Sequence, residues 1–156
     1  MDGPRSRFKS KDKMSENSRE NAPISHHTAL IYTMVLVSAA DRDMTDAELR
    51  TIGEDVQRLP VFNDFDVDML PVAAADCAEI LSEEDGLDTA IALIKSALPE
   101  KLRETAYVLA CDIAAADDQL SQEEIRLLEM LRHGLEVGRL PAAAIERAAK
   151  ARSATL

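Results

Sequence analysis

Six carboxylates in two short stretches are the side chains of this chain best placed to do chemistry: Asp41, Asp43 and Glu48 in one, Asp117, Asp118 and Glu124 in the other. The stretches are copies. Ala39-Ala40-Asp41-Arg42-Asp43-Met44-Thr45-Asp46-Ala47-Glu48-Leu49-Arg50 aligns with Ala115-Ala116-Asp117-Asp118-Gln119-Leu120-Ser121-Gln122-Glu123-Glu124-Ile125-Arg126. The shared pattern is Ala-Ala-Asp, two variable residues, Met/Leu, Ser/Thr, two variable residues, Glu, Leu/Ile, Arg. Oxygen ligands of this kind suit a hard divalent cation, Ca2+ or Mg2+. The spacing is not that of an EF-hand, which needs alternating oxygens, a glycine at the sixth position and a glutamate at the twelfth. The first loop is the richer ligand set, because neutral Gln119 stands where Asp43 does.

A purely structural reading competes. Thr45-x-x-Glu48 and Ser121-x-x-Glu124 fit the capping box, in which the hydroxyl takes a backbone N–H and the glutamate reaches back to the cap. Met44 and Leu120 stand where a hydrophobic staple belongs, and Asp41 and Asp117 can act as turn residues. Capping does not ask for the remaining acids. Asp41 and Asp117 directly follow apolar helical stretches, where the helix dipole disfavours a carboxylate by ~0.3–1 kcal/mol.

The elements that carry these loops are helical. The composition is 46% apolar but only 3% aromatic, with five glycines, which favours helices over a sandwich or barrel. Helix starts and stops predict about seven helices in one compact all-α bundle, arranged as two pseudo-repeated helix–acidic loop–helix units. The first spans Ser25 to Ala40 with apolar residues on every side, and the second Thr45 to Arg58. Val61 to Asp68 is a loop whose Phe62 and Phe65 plug the core. The third helix ends near Ser82, with Pro71 in its first turn, and Glu83-Glu84-Asp85-Gly86 breaks it. The fourth runs to Pro99 and the fifth from Pro99 to Ala116. The sixth starts at Ser121 and is stopped by Gly134; Pro141 opens the last, Ala142 to Arg152. Residues 1–24 are a polar, basic arm, and 25–156 the helical domain.

The net charge is −11. Residues 1–24 hold six bases and four acids, which leaves −13 on the rest. Such a fold repels a phosphate backbone, so a nucleic-acid partner is not expected; a cation or a basic protein face is the complement. The longest apolar run, Ala29 to Ala40, is shorter than the ~20 residues a membrane span needs, and no secretory signal is visible. Cys77 and Cys111 fall on apolar helix faces and read as small hydrophobes in a reducing, cytoplasmic setting. His26-His27 reads as a helix start, His133 as solvated, and neither as a zinc ligand. No nucleophile–base pair or phosphate loop is present, so an enzyme is not expected.

The duplicated Ala-Ala-Asp…Ser/Thr-x-x-Glu motif, following two apolar helices, resembles the TerB-like domains of bacterial tellurite-resistance proteins over about residues 28–152. Related domains begin certain membrane-anchored J-domain co-chaperones. The resemblance implies a helical fold with the acidic loops near one another. It also implies a non-enzymatic stress-response module that binds a divalent metal or a protein partner, in complexes at the inner-membrane surface. Its acidic positions fall on Asp41, Asp43, Glu48, Asp117 and Glu124, while Arg42 and Asp118 stand where the family often has glycine. A scaffold or co-chaperone-like adaptor with purely structural loops is the alternative.

Overall fold

A computed structural model describes residues 23–40, 45–116 and 119–156. Among them are seven α-helices and no strand: α1 His26–Ala39, α2 Asp46–Arg58, α3 Leu70–Leu81, α4 Gly86–Ala97, α5 Glu100–Ala115, α6 Gln122–Gly134 and α7 Arg139–Arg152. Two 3-10 turns, Pro60–Phe62 and Val67–Met69, separate α2 from α3. Asp41, Asp43, Asp117 and Asp118 lie outside the described residues, as does the arm expected over 1–24 except for Pro23 and Ile24. Ile24 already packs on the core.

The hydrophobic pattern of α1 explains the architecture. Every residue from Ala29 to Ser38 is buried, so this helix has no solvent face and must be wrapped on all sides. It packs chiefly against α3, α4 and α5, with α2 and α6 also in contact. Thr33 is accommodated because its hydroxyl donates to the Ala29 carbonyl at 2.9 Å. The next most buried helix is α5, whose Ala106, Ala110 and Ala114 allow close approach while Tyr107, Leu109 and Ile113 fill volume. It packs on α1 on one side and α7 on the other. By contrast, α2 buries only Ile52 and Val56 among its apolar side chains, and α6 only Leu127 and Leu131.

Boundaries follow local chemistry. Ser25 caps α1, accepting from the Thr28 N–H at 3.1 Å. Pro99 sits at the N-cap of α5 rather than inside its first turn. The last helix begins at Arg139, earlier than the expected Ala142, because a proline in the first turn gives up an N–H that has no intrahelical acceptor. His26-His27 is more than a helix start: His27 is buried, and its Nε2 donates to the Val61 carbonyl at 2.8 Å, with Asp64 Oδ1 3.1 Å away. Its ring clusters with those of Phe62 and Phe65, at centroid distances of 5.9 and 5.3 Å. This contact pins the turn after α2 to the first turn of α1.

α6 ends at Gly134, as expected, but glycine is not what turns the chain. Gly134 remains helical, and a Cβ there would lie 2.7 Å from Ile91 Cγ2, so glycine serves close packing on α4. The chain reverses at Glu136, the one non-glycine described residue with positive φ (57°). The Glu136 N–H reaches the His133 carbonyl at 3.1 Å and the Val137 N–H the Arg132 carbonyl at 3.0 Å, the paired bonds of a Schellman cap. The Glu136 carboxylate holds Lys95 at 2.9 Å and Arg103 at 3.3 Å, tying this turn to α4 and α5.

Two glycines give opposite expectations. A Cβ at Gly86 would sit 2.1 Å from the Ile80 carbonyl oxygen and 2.8 Å from Leu81 Cα, so the tight α3–α4 turn has no room for it. Gly86→Ala should cost roughly 1–3 kcal/mol in urea denaturation, or more if the turn cannot shift. At Gly53, inside α2, a Cβ meets nothing within 4 Å. Gly53→Ala should stabilise by about 0.5–1 kcal/mol in the same assay.

Candidate functional site

Two of the six candidate ligands, Glu48 and Glu124, belong to described segments. Each occupies the third position of its helix, α2 and α6. In the first copy the Thr45 hydroxyl accepts from the Glu48 N–H at 3.1 Å, while Glu48 Oε2 accepts from the Thr45 N–H at 2.8 Å. That is the complete capping box. In the second copy the Ser121 hydroxyl accepts from the Glu124 N–H at 3.1 Å and lies 3.2 Å from Glu124 Oε1. Capping thus sets the start of both helices.

What capping does not require is the burial of these glutamates. Glu48 is 1% exposed and Glu124 is 0% exposed, although a capping glutamate works equally well at the surface. Taking a carboxylate out of water costs several kcal/mol unless positive charge or donors surround it. The helix dipole at each N-terminus returns only ~0.3–1 kcal/mol of that. One turn before the first loop, the Ser38 hydroxyl is also fully buried, without a hydrogen-bond partner among the described residues.

The segments flanking the two loops meet. Ala39 and Ala40, which precede the first loop, and Glu123, which follows the second, line one open cleft of about 600 Å³. The α3–α4 turn and the start of α4 add Glu84, Asp85 and Asp88 to its wall, and Arg126 is the one base lining it among the described residues. From sequence, Glu83-Glu84-Asp85-Gly86 reads only as a helix breaker, and the place of Glu84 and Asp85 in one cleft with Ala39, Ala40 and Glu123 depends on long-range packing. Among the described residues, no three His, Cys, Asp or Glu side chains converge closely enough to hold a metal ion on their own.

Elsewhere the titratable groups are structural in character. Burial pushes both thiols, Cys77 and Cys111, up to about 12, which leaves them protonated and unreactive at neutral pH. Tyr107 is 1% exposed and donates to Glu146 Oε1 at 2.5 Å, linking α5 to α7. Above that contact an apolar groove of about 770 Å³ opens between α5, α6 and α7. Leu120 and Ile125, 47% and 36% exposed, lie on its wall. Leu120, at the staple position before the cap, thus shares this groove with Ile125, four residues into α6, and remains about half open to solvent. No helix among the described residues is long and apolar enough to cross a membrane.

No curated protein and no solved structure matches the chain. The family described as tellurite resistance protein TerB matches residues 27–148, from the first turn of α1 into α7 and through both capped helices. With that match across most of its length, in an all-α fold, the chain belongs to the TerB family.

Proposed function

We propose that this chain is a non-enzymatic, tellurite-resistance-like stress-response module that binds a divalent cation, Ca2+ or Mg2+, or a basic partner through two acidic loops. The ligand set is Asp41, Asp43 and Glu48 from one loop, with Asp117, Asp118 and Glu124 from the other. The observation that carries this reading is the near-complete burial of Glu48 and Glu124 at equivalent positions of two capped helices. Buried carboxylates are tolerated where donors or positive charge surround them, and beside further acids a hard cation is one source of that charge, with oxygen-ligand geometry to match. The acid-lined cleft between the flanking segments supports a shared location for the two loops. A cytoplasmic protein working beside the inner membrane with a protein partner fits family membership and the strongly negative fold.

Calorimetric titration of metal-free protein with calcium, then magnesium, tests the reading. Saturable binding is expected, and the Asp41→Asn/Asp43→Asn double substitution should abolish most of it. Glu124→Gln should weaken binding while keeping the helix start, since the Ser121 hydroxyl still accepts from the backbone N–H of residue 124. Absence of heat at millimolar calcium, with the protein folded, would contradict the cation reading.

The apolar groove favours a second reading, a scaffold or co-chaperone-like adaptor whose loops are only caps and turns. Under it, Leu120→Ser and Ile125→Ser together should remove partner capture and change stability by less than about 1 kcal/mol, because both side chains are already solvent-exposed. The loop substitutions should then leave capture intact.

A further inference from the structure

Helix α2 is held in an unusual way. Its buried side chains are Glu48, Ile52, Asp55 and Val56, so two acids accompany two aliphatics. Glu48 belongs to the cap. Asp55 does not: it lies in the second half of the helix, 9% exposed, and its Oδ2 is buried without a hydrogen-bond partner among the described residues. Such an oxygen disfavours the anion, because nothing replaces the water it has lost.

The helices packed near it decide how that charge is felt. Asp112 on α5 is the nearest acid in effect, and it is already paired with Arg152, the last residue of α7. Arg58 and Glu54 come from α2 itself. The other neighbours, α1 and the Pro60–Phe62 turn, contain no Asp, Glu, Lys or Arg; their titratable groups are His26 and His27 at the start of α1, where His27 is engaged by the Val61 carbonyl and Asp64. Burial and repulsion from Asp112 outweigh the attraction of Arg58 and Arg152, and the Asp55 carboxyl is pushed up to about 6 from 3.8.

The geometry points to a proton-operated seam: α2 seats against α5 while Asp55 is a neutral acid, and loosens from it when Asp55 becomes charged. The sign follows from linkage. The folded state holds this proton more tightly than the unfolded chain, so the stabilisation is complete below the unfolded value and is lost as pH rises through the folded one. The window therefore lies between about pH 4 and pH 6, with the seam at its loosest at neutral pH. Since α2 carries Glu48 and follows directly on residues 41–44, loosening it shifts the footing of the first loop. This holds whether or not the loops take a cation.

Hydrogen exchange of the full chain, corrected for intrinsic rates, is the test, run at about pH 5 and about pH 7.5. Protection of α2 amides relative to those of α5 should fall roughly tenfold or more across that interval in the wild type, and stay level in Asp55→Asn. A carbon-detected titration of the wild-type Asp55 carboxyl should show a midpoint near 6 that drops in Asp112→Asn. Equal pH dependence of α2 in wild type and Asp55→Asn overturns the proposal. So does an Asp55 midpoint in the ordinary aspartate range, a reading that needs no variant to fold.

Discussion

The structure depends on one constraint: α1 has no polar face. A helix buried from Ala29 to Ser38 cannot lie on a surface, so α3, α4 and α5 enclose it and α2 and α6 close the remaining sides. Each fully buried Leu, Ile or Met contributes roughly 1.5–3 kcal/mol, which makes this helix the principal source of stability. The position of the segments that flank the acidic loops follows from the same burial. The chain leaves α1 at Ala40, in the wall of a cleft that Glu123 of α6 also lines, so the segments flanking both loops are brought together by packing.

Against that apolar centre, the placement of charge is selective. Most acids of this strongly acidic chain are at the surface, yet Glu48, Asp55 and Glu124 are not. All three lie on α2 or α6, each of which buries only two aliphatic side chains. In these helices the tightness of packing is set by carboxylates as well as by hydrophobes, and so responds to whatever satisfies a carboxylate. For Glu48 and Glu124 the proposed agent is a cation; for Asp55 it is a proton. Membership in the TerB family suggests a tellurite-resistance-like module, and under the proposed reading these three residues provide the chemistry by which it would respond.

Much of this was legible in the sequence, and the reasons are specific. The uniform hydrophobicity of Leu30 to Val37 announces a buried helix, and Thr45 and Ser121 followed by Glu48 and Glu124 announce two helix starts. Such signals are local, and the structure agrees with them to within a residue. Signals that depend on distant partners were misread. Gly134 reads as a stop, but it is needed for contact with Ile91, while Glu136 makes the turn. His27 reads as a frayed start because nothing nearby in sequence reveals Val61, Asp64 and the two phenylalanines around it. Burial of the glutamates was likewise invisible, since the capping pattern is the same whether the carboxylate faces water or the interior. Asp55 gave no signal at all, because an acid on the rear half of a surface helix is ordinary until Asp112 and Arg152 are packed beside it.

The central proposal is that a divalent cation binds at the two acidic loops with Glu48 and Glu124 among its ligands. Carbon-detected NMR of the glutamate side-chain carboxyls, followed as calcium is added to metal-free protein, reads those two groups individually. The account predicts saturable shifts of both resonances along one binding curve, while exposed glutamates such as Glu100 stay still. Resonances of Glu48 and Glu124 that remain unmoved through millimolar calcium, in a protein that is otherwise folded, would contradict it.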